Sequence, residues 1–65
     1  MYMDVHELNR EQLDFLKQDL ITQRMIENGE VPSYGELAWA VDNIPDSEVF
    51  ETYEGVEFSP DDFFQ

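Results

Sequence analysis

The sequence has no cysteine, one histidine, three prolines, three glycines and only three basic side chains, Arg10, Lys17 and Arg24. Without thiols there is no disulfide staple, and His6 alone cannot assemble a structural zinc site. No apolar run approaches the roughly 20 residues of a membrane-spanning helix. The N-terminus lacks the positive flank and apolar stretch of a signal peptide, so a cytoplasmic location is expected. Glycine-rich phosphate loops, basic patches, internal repeats and low-complexity linkers are also missing. Any core must therefore be held by apolar packing alone.

Sixty-five residues suffice for one domain, which at this size buries only about 60% of the surface its unfolded chain exposes. Hydrophobic residues make up 42% of the chain and nine side chains are aromatic, which is too much core material for a wholly disordered polymer despite the charge. The expectation is a single acidic helical domain over residues 1–65 with loose ends.

Local signals place its helices. Asn9 can cap a helix with Gln12 returning the bond, and Leu8 can staple onto Leu13. Leu13, Leu16 and Leu20 then share one face, flanked by Ile21 and Met25, until Asn28-Gly29 supplies a stop. This predicts one long helix over about 10–28. Phe15, Thr22 and Ile26 form a narrower stripe on its other side, to be covered by the terminal segments, a twin subunit or a partner. A second capping box at Ser33-Tyr34-Gly35-Glu36 predicts a short helix over about 34–42, with Tyr34, Leu37, Ala38 and Val41 inward and Trp39 outward.

Pro45 restricts Ile44 and should end that helix near Asn43. Asp46 or Ser47 can cap a third helix over about 46–53, closed by Gly55, with Val49, Phe50 and Tyr53 on one side. Val56-Glu57-Phe58 reads as extended, and Ser59-Pro60-Asp61-Asp62 as a capped turn running through Phe63 and Phe64. Tyr2 to His6 alternates weakly, the pattern of a short strand. The fold class is mostly α: one long helix, two short ones and a C-terminal turn.

Sixteen acids against three bases give a net charge of −13. Phosphate backbones and anionic lipid headgroups repel such a surface, which disfavours direct nucleic-acid and membrane binding and points to a basic protein partner. All three bases lie before residue 25, and the eleven acids beyond Arg24 have no base among them. Opposite charges at i, i+4 normally support an exposed helix. Here Glu48, Glu51 and Glu54 instead step at i, i+3, about 5–6 Å apart, with Glu57, Asp61 and Asp62 extending the row. Those intervals are broadly comparable to the spacing of anions along a nucleic-acid strand. The repulsion costs stability in a domain with little to spare, and binding to a positive surface would offset it. Solubility alone is the competing explanation, although a modest net charge already achieves it.

Charge gives salt-sensitive binding, whereas aromatic anchors in desolvated pockets usually carry affinity. Trp39 is the candidate anchor. Phe58, Phe63 and Phe64 stand among acids, where Phe58 and Phe64 can also fold back to complete an undersized core. Catalysis has no support, because His6 has no nucleophile motif beside it. Asp42 to Glu48 lacks the sixth-position glycine and the ligand spacing of a calcium loop. No cofactor is implied, and the chain reads as a binding protein, not an enzyme.

In size, charge and helical style the chain resembles the small acidic proteins with which phages and mobile elements imitate DNA, the inhibitors of uracil-DNA glycosylase, restriction enzymes and CRISPR effectors. Those proteins share no motif, so the resemblance transfers no residue. It implies an inhibitor that occupies the basic DNA- or RNA-binding surface of a target, with Glu48, Glu51, Glu54, Glu57, Asp61 and Asp62 supplying charge. Phe58-Ser59-Pro60-Asp61-Asp62-Phe63-Phe64 is also similar to the acidic, aromatic-ended tail of bacterial single-stranded DNA-binding proteins, except that this chain ends in Gln65. The alternative is a small structural or adaptor module, homodimeric through the Phe15 and Ile26 stripe, whose charge serves solubility.

Overall fold

The computed structural model describes residues 2–63. Three α-helices, α1 (Arg10–Glu27), α2 (Tyr34–Asn43) and α3 (Asp46–Thr52), are preceded by a 3-10 turn at Val5–Glu7 and followed by another at Pro60–Phe63. The helical organisation read from the sequence is observed to within a residue or so at each end. Phe64 and Gln65, the end of the expected turn and tail, lie outside the described residues.

The α1 boundaries have the anticipated chemistry. The Asn9 side chain accepts the Gln12 N–H at 2.9 Å, and the Asn9 N–H donates to the Gln12 side chain at 3.0 Å. Leu8 and Leu13 on either side of this box are both buried, as a hydrophobic staple requires. At the other end Gly29 adopts φ +80°, and the Glu30 N–H reaches back to the Met25 carbonyl at 2.8 Å. This is a Schellman stop, which needs a left-handed residue where any Cβ would be strained.

The core consists of Val5, Leu8, Leu13, Leu16, Leu20, Ala40, Ile44, Val49 and Phe58. Residues outside the helices supply Val5, Leu8, Ile44 and Phe58, so the described parts of the terminal segments dock. Met3 and Phe58 form an antiparallel bridge, with N–H···O distances of 2.6 and 2.8 Å. The alternating N-terminal stretch and the extended Val56 to Phe58 thus meet at one bridging pair and do not develop into a sheet. Burying Phe58 satisfies the core-completing reading of that residue.

Two details differ from the sequence expectation. The inward face of α2 is Leu37, Ala40 and Val41, continuing into Ile44, whereas Tyr34 and Ala38 are exposed. Both sets satisfy helical spacing, and the large apolar Ile44 at the helix end decides between them. Neither Asp46 nor Ser47 caps α3: its N-cap is Pro45, with no side-chain cap bond. The Asp46 carboxylate is directed at α1 instead. Helix α2 packs along α1, and α3 touches both α1 and the Val5–Glu7 turn.

Candidate interaction surface

The three bases recur every seven residues, which keeps them on one side of α1, and α3 brings its first turn against that side. Arg10 contacts Asp46 at 2.5 Å and Asp14 at 3.3 Å. Lys17 contacts Asp46 at 2.8 Å and Asp14 at 3.8 Å. Arg24 pairs with Glu48. Lys17 is only 4% exposed, since position 17 falls between Leu13 and Leu20 on the core-facing side; its ammonium needs the carboxylates around it. The hydrogen bond from Arg10, reinforced by that from Lys17, holds the Asp46 carboxyl down at about 2.

Every base is thereby matched to an acid inside the fold. Thirteen of the sixteen carboxylates have no basic partner among the described residues. Asp19 is a special case, because it accepts the Tyr53 hydroxyl and the Gln23 amide, each at 2.8 Å. Burial, then the hydrogen bond to Asp19, raise the Tyr53 hydroxyl well above the ordinary phenol range.

The acids singled out from the sequence separate into groups. Glu48 turns inward to Arg24. Glu51 is exposed on α3, but the helix stops at Thr52, so Glu54 leaves the i, i+3 row and sits in the turn that Gly55 closes at φ +82°. Glu54 and Glu57 line an open groove of ≈ 470 Å³ together with Tyr2, Met3, Asp4, His6, Gly55 and Val56. Asp61 and Asp62 are exposed on the last turn. There the Asp62 carboxylate accepts the Ser59 N–H at 2.7 Å and the Ser59 hydroxyl accepts the Asp61 N–H at 3.3 Å. Trp39 stands 54% exposed on α2 and lines neither this groove nor a second one formed between Phe15 and Gln18 of α1 and Pro60 and Phe63 of the last turn.

The groove brings Asp4, Tyr2 and Val56 to the acidic side, none of which sequence spacing identified. The signal was the weak N-terminal alternation, which becomes informative only once Met3 is paired with Phe58. His6 is exposed there, and its ring lies 4.5 Å from that of Phe50. The second stripe of α1 is resolved differently along its length. Phe15 packs edge-on against Phe63 at 5.6 Å, the Thr22 hydroxyl bonds back to the Gln18 carbonyl, and Ile26 remains exposed.

Among the described residues no three potential metal ligands gather, and no helix is long and apolar enough to cross a membrane. No protein-family model, curated protein or solved structure matches the chain.

Proposed function

We propose that this protein is a cytoplasmic nucleic-acid mimic: it occupies the basic DNA- or RNA-binding surface of a target protein and excludes the nucleic acid by competition. The observation that carries this reading is that Arg10, Lys17 and Arg24 are each paired with an acid within the fold, which leaves thirteen carboxylates without a basic partner among the described residues. Among the described residues every lysine and arginine is paired, so the net field is strongly negative, and approach of such a surface to a cationic groove is electrostatically accelerated. Contact would release the anions condensed on the target, as the nucleic acid itself does. Glu51, Glu54, Glu57 and Asp61 are the principal charged contacts, with Asp62 beside them, whereas Glu48 is neutralised by Arg24 and adds no net charge. Trp39, near Glu36 and Asp42 on the same helix, adds an apolar contact.

The mimic has no catalytic step: binding alone inhibits. Its origin in a phage or mobile element belongs to the same reading and rests on resemblance of character. The test is capture from a cell lysate with tagged wild type and with Glu51→Gln/Glu54→Gln/Glu57→Gln/Asp61→Asn. The proposal expects captured proteins that bind duplex DNA or RNA, release on adding that nucleic acid, and escape the neutralised variant. Equal capture by the variant, or captured proteins indifferent to nucleic acid, overturns it.

A further inference from the structure

We infer that the corner between α1 and α2 is a second docking surface, fitted to an apolar pocket of another protein whose rim carries lysine or arginine. This inference does not rest on the nucleic-acid reading. It starts from three side chains that a marginal fold would ordinarily bury: Val31 is 88% exposed, Tyr34 92% and Ile26 61%. Isolated exposed apolar residues need no explanation, but these three fall within nine residues of chain, from the last turn of α1 through the connection to the first residue of α2. Glu30, immediately before Val31, is hydrogen-bonded to the Met25 carbonyl, and the Gly29 N–H bonds to that of Ile26 at 3.0 Å. Val31 is therefore held beside the last turn of α1, and Tyr34 follows within about 10 Å of chain.

The corner is also stiff. The Schellman stop fixes one end, and at the other the Glu36 N–H donates to the Ser33 hydroxyl oxygen at 3.4 Å while that hydroxyl donates to the Glu36 carboxylate at 3.1 Å. Pro32 stands between them and biases Val31 toward extended backbone. A loop pinned at both ends loses little entropy when it is covered, which raises the affinity available from a small apolar contact.

Charge selects the occupant. Glu27 and Glu30 flank the apolar residues, Glu36 follows one turn into α2, and no base lies between Arg24 and the C-terminus. The Arg24 guanidinium is committed to Glu48. A second copy would set these carboxylates against their own kind, and a lipid or nucleic-acid surface carries the same sign. An apolar pocket with a basic rim satisfies both the exposed side chains and the acids around them.

The test lets the surface choose its ligand. A random-peptide display library is panned against the immobilised protein at about 0.15 M salt, where exposed charges farther apart than about 8 Å are largely screened. Enriched peptides are expected to combine Leu, Phe or Trp with Lys or Arg. They should perturb the amide resonances of Ile26, Val31 and Tyr34, and bind Val31→Ser/Tyr34→Ser at least about tenfold more weakly, while Glu51→Gln/Glu54→Gln/Glu57→Gln binds them as wild type does. Both exchanged sets, hydrophobic and acidic, are exposed, and circular dichroism checks that the helices persist. Peptides that bind the double variant as well as wild type, or that shift the α3 resonances instead, overturn the inference. So does a wild-type dimer that the double variant dissolves in sedimentation at two concentrations, since the corner would then be covered by a second copy.

Discussion

The ammonium of Lys17 lies 2.8 Å from the carboxylate of Asp46, joining the middle of α1 to the first residue of α3. The two ends of this contact are unequally solvated: the Lys17 side chain is 5% exposed and that of Asp46 37%. Removing Asp46 therefore strands a buried cation, with Asp14 at 3.8 Å the one acid left to receive it among the described residues. Because the carboxylate is partly hydrated, the loss falls below the 3–5 kcal/mol typical of fully buried pairs, at roughly 2 kcal/mol for Asp46→Ala. Lys17→Met removes the charge and keeps the packing stem, so it should cost less, and adding Asp46→Ala to it should cost less than Asp46→Ala alone. Urea unfolding of the four proteins closes the cycle; additive losses would show that the contact carries no coupling.

The same carboxylate sets the response to acid. Hydrogen bonds from Arg10 and Lys17 hold Asp46 at about 2 in the fold, against roughly 3.9 in an unfolded chain. A depressed folded pKa contributes stability that is fully present above about 4 and is lost as pH falls toward about 2. Between neutrality and the isoelectric point near 4.1 the trend is opposite, because protonation relieves the self-repulsion of the unpaired acids. Melting temperature should rise from pH 7 to a maximum at about 4 to 5, then fall. In Asp46→Asn the rise should persist and the fall be shallower. A wild-type curve with no decline below pH 4 would remove the ion pair from this account.

The helix ends were legible because their chemistry is local. Asn9 with Gln12, Leu8 with Leu13 and Asn28-Gly29 each act within a few residues, and Pro45 stops α2 whatever surrounds it. The inward face of α2 was not, because Tyr34-Leu37-Ala38-Val41 and Leu37-Ala40-Val41-Ile44 fit the same period and only packing against α1 separates them. The ion pairs were not anticipated, although part of their signal lies in the sequence. Arg10, Lys17 and Arg24 at seven-residue spacing announce a basic stripe on one helix, and Lys17 stands conspicuously within a leucine face. That Asp46 and Glu48 come to meet that stripe depends on where the Ile44-Pro45 corner sends the chain. The acid row was read as one feature because i, i+3 spacing assumes that α3 continues; its end at Thr52 separates Glu54 from Glu51.

Ser33 joins the start of α2 to the stiffness of the preceding corner. Ser33→Ala removes the bond to the Glu36 N–H and its reciprocal donation to the Glu36 carboxylate, and should destabilise the protein by about 1 kcal/mol. Faster amide exchange should appear first at Glu36 and Leu37 and leave the α1 amides, capped by Asn9, comparatively protected. Uniform acceleration across both helices would instead mean that the cap contributes only through global stability.

The C-terminal turn contributes to the fold through Phe63, whose ring packs against Phe15 at 5.6 Å and Phe58 at 5.8 Å. It is partly buried, so Phe63→Ala should cost about 2 kcal/mol, below the range for fully buried phenylalanine. The amides of Met3 and Phe58, which form the bridge behind it, should lose protection together. A variant as stable as wild type would show that the turn adds little to the core.

Glu48 and Glu51 lie three residues apart on the same short helix, yet neutralising them should have opposite effects. Glu48 faces Arg24, so Glu48→Gln removes an attraction and leaves the guanidinium without its partner; the loss should be about 0.5 kcal/mol, as for other exposed pairs. Glu51 has no basic partner among the described residues, and Glu51→Gln relieves repulsion from its acidic neighbours. That change should stabilise by a few tenths of a kcal/mol, the usual size of a surface charge effect on a helix. Because both effects are electrostatic, raising salt to about 1 M, where the screening length is near 3 Å, should bring the two variants together. Thermal melts at low and high salt measure this directly. Destabilisation by Glu51→Gln that survives in high salt would mean that Glu51 serves the fold, and the acids of α3 would then not be surplus charge held out for a partner.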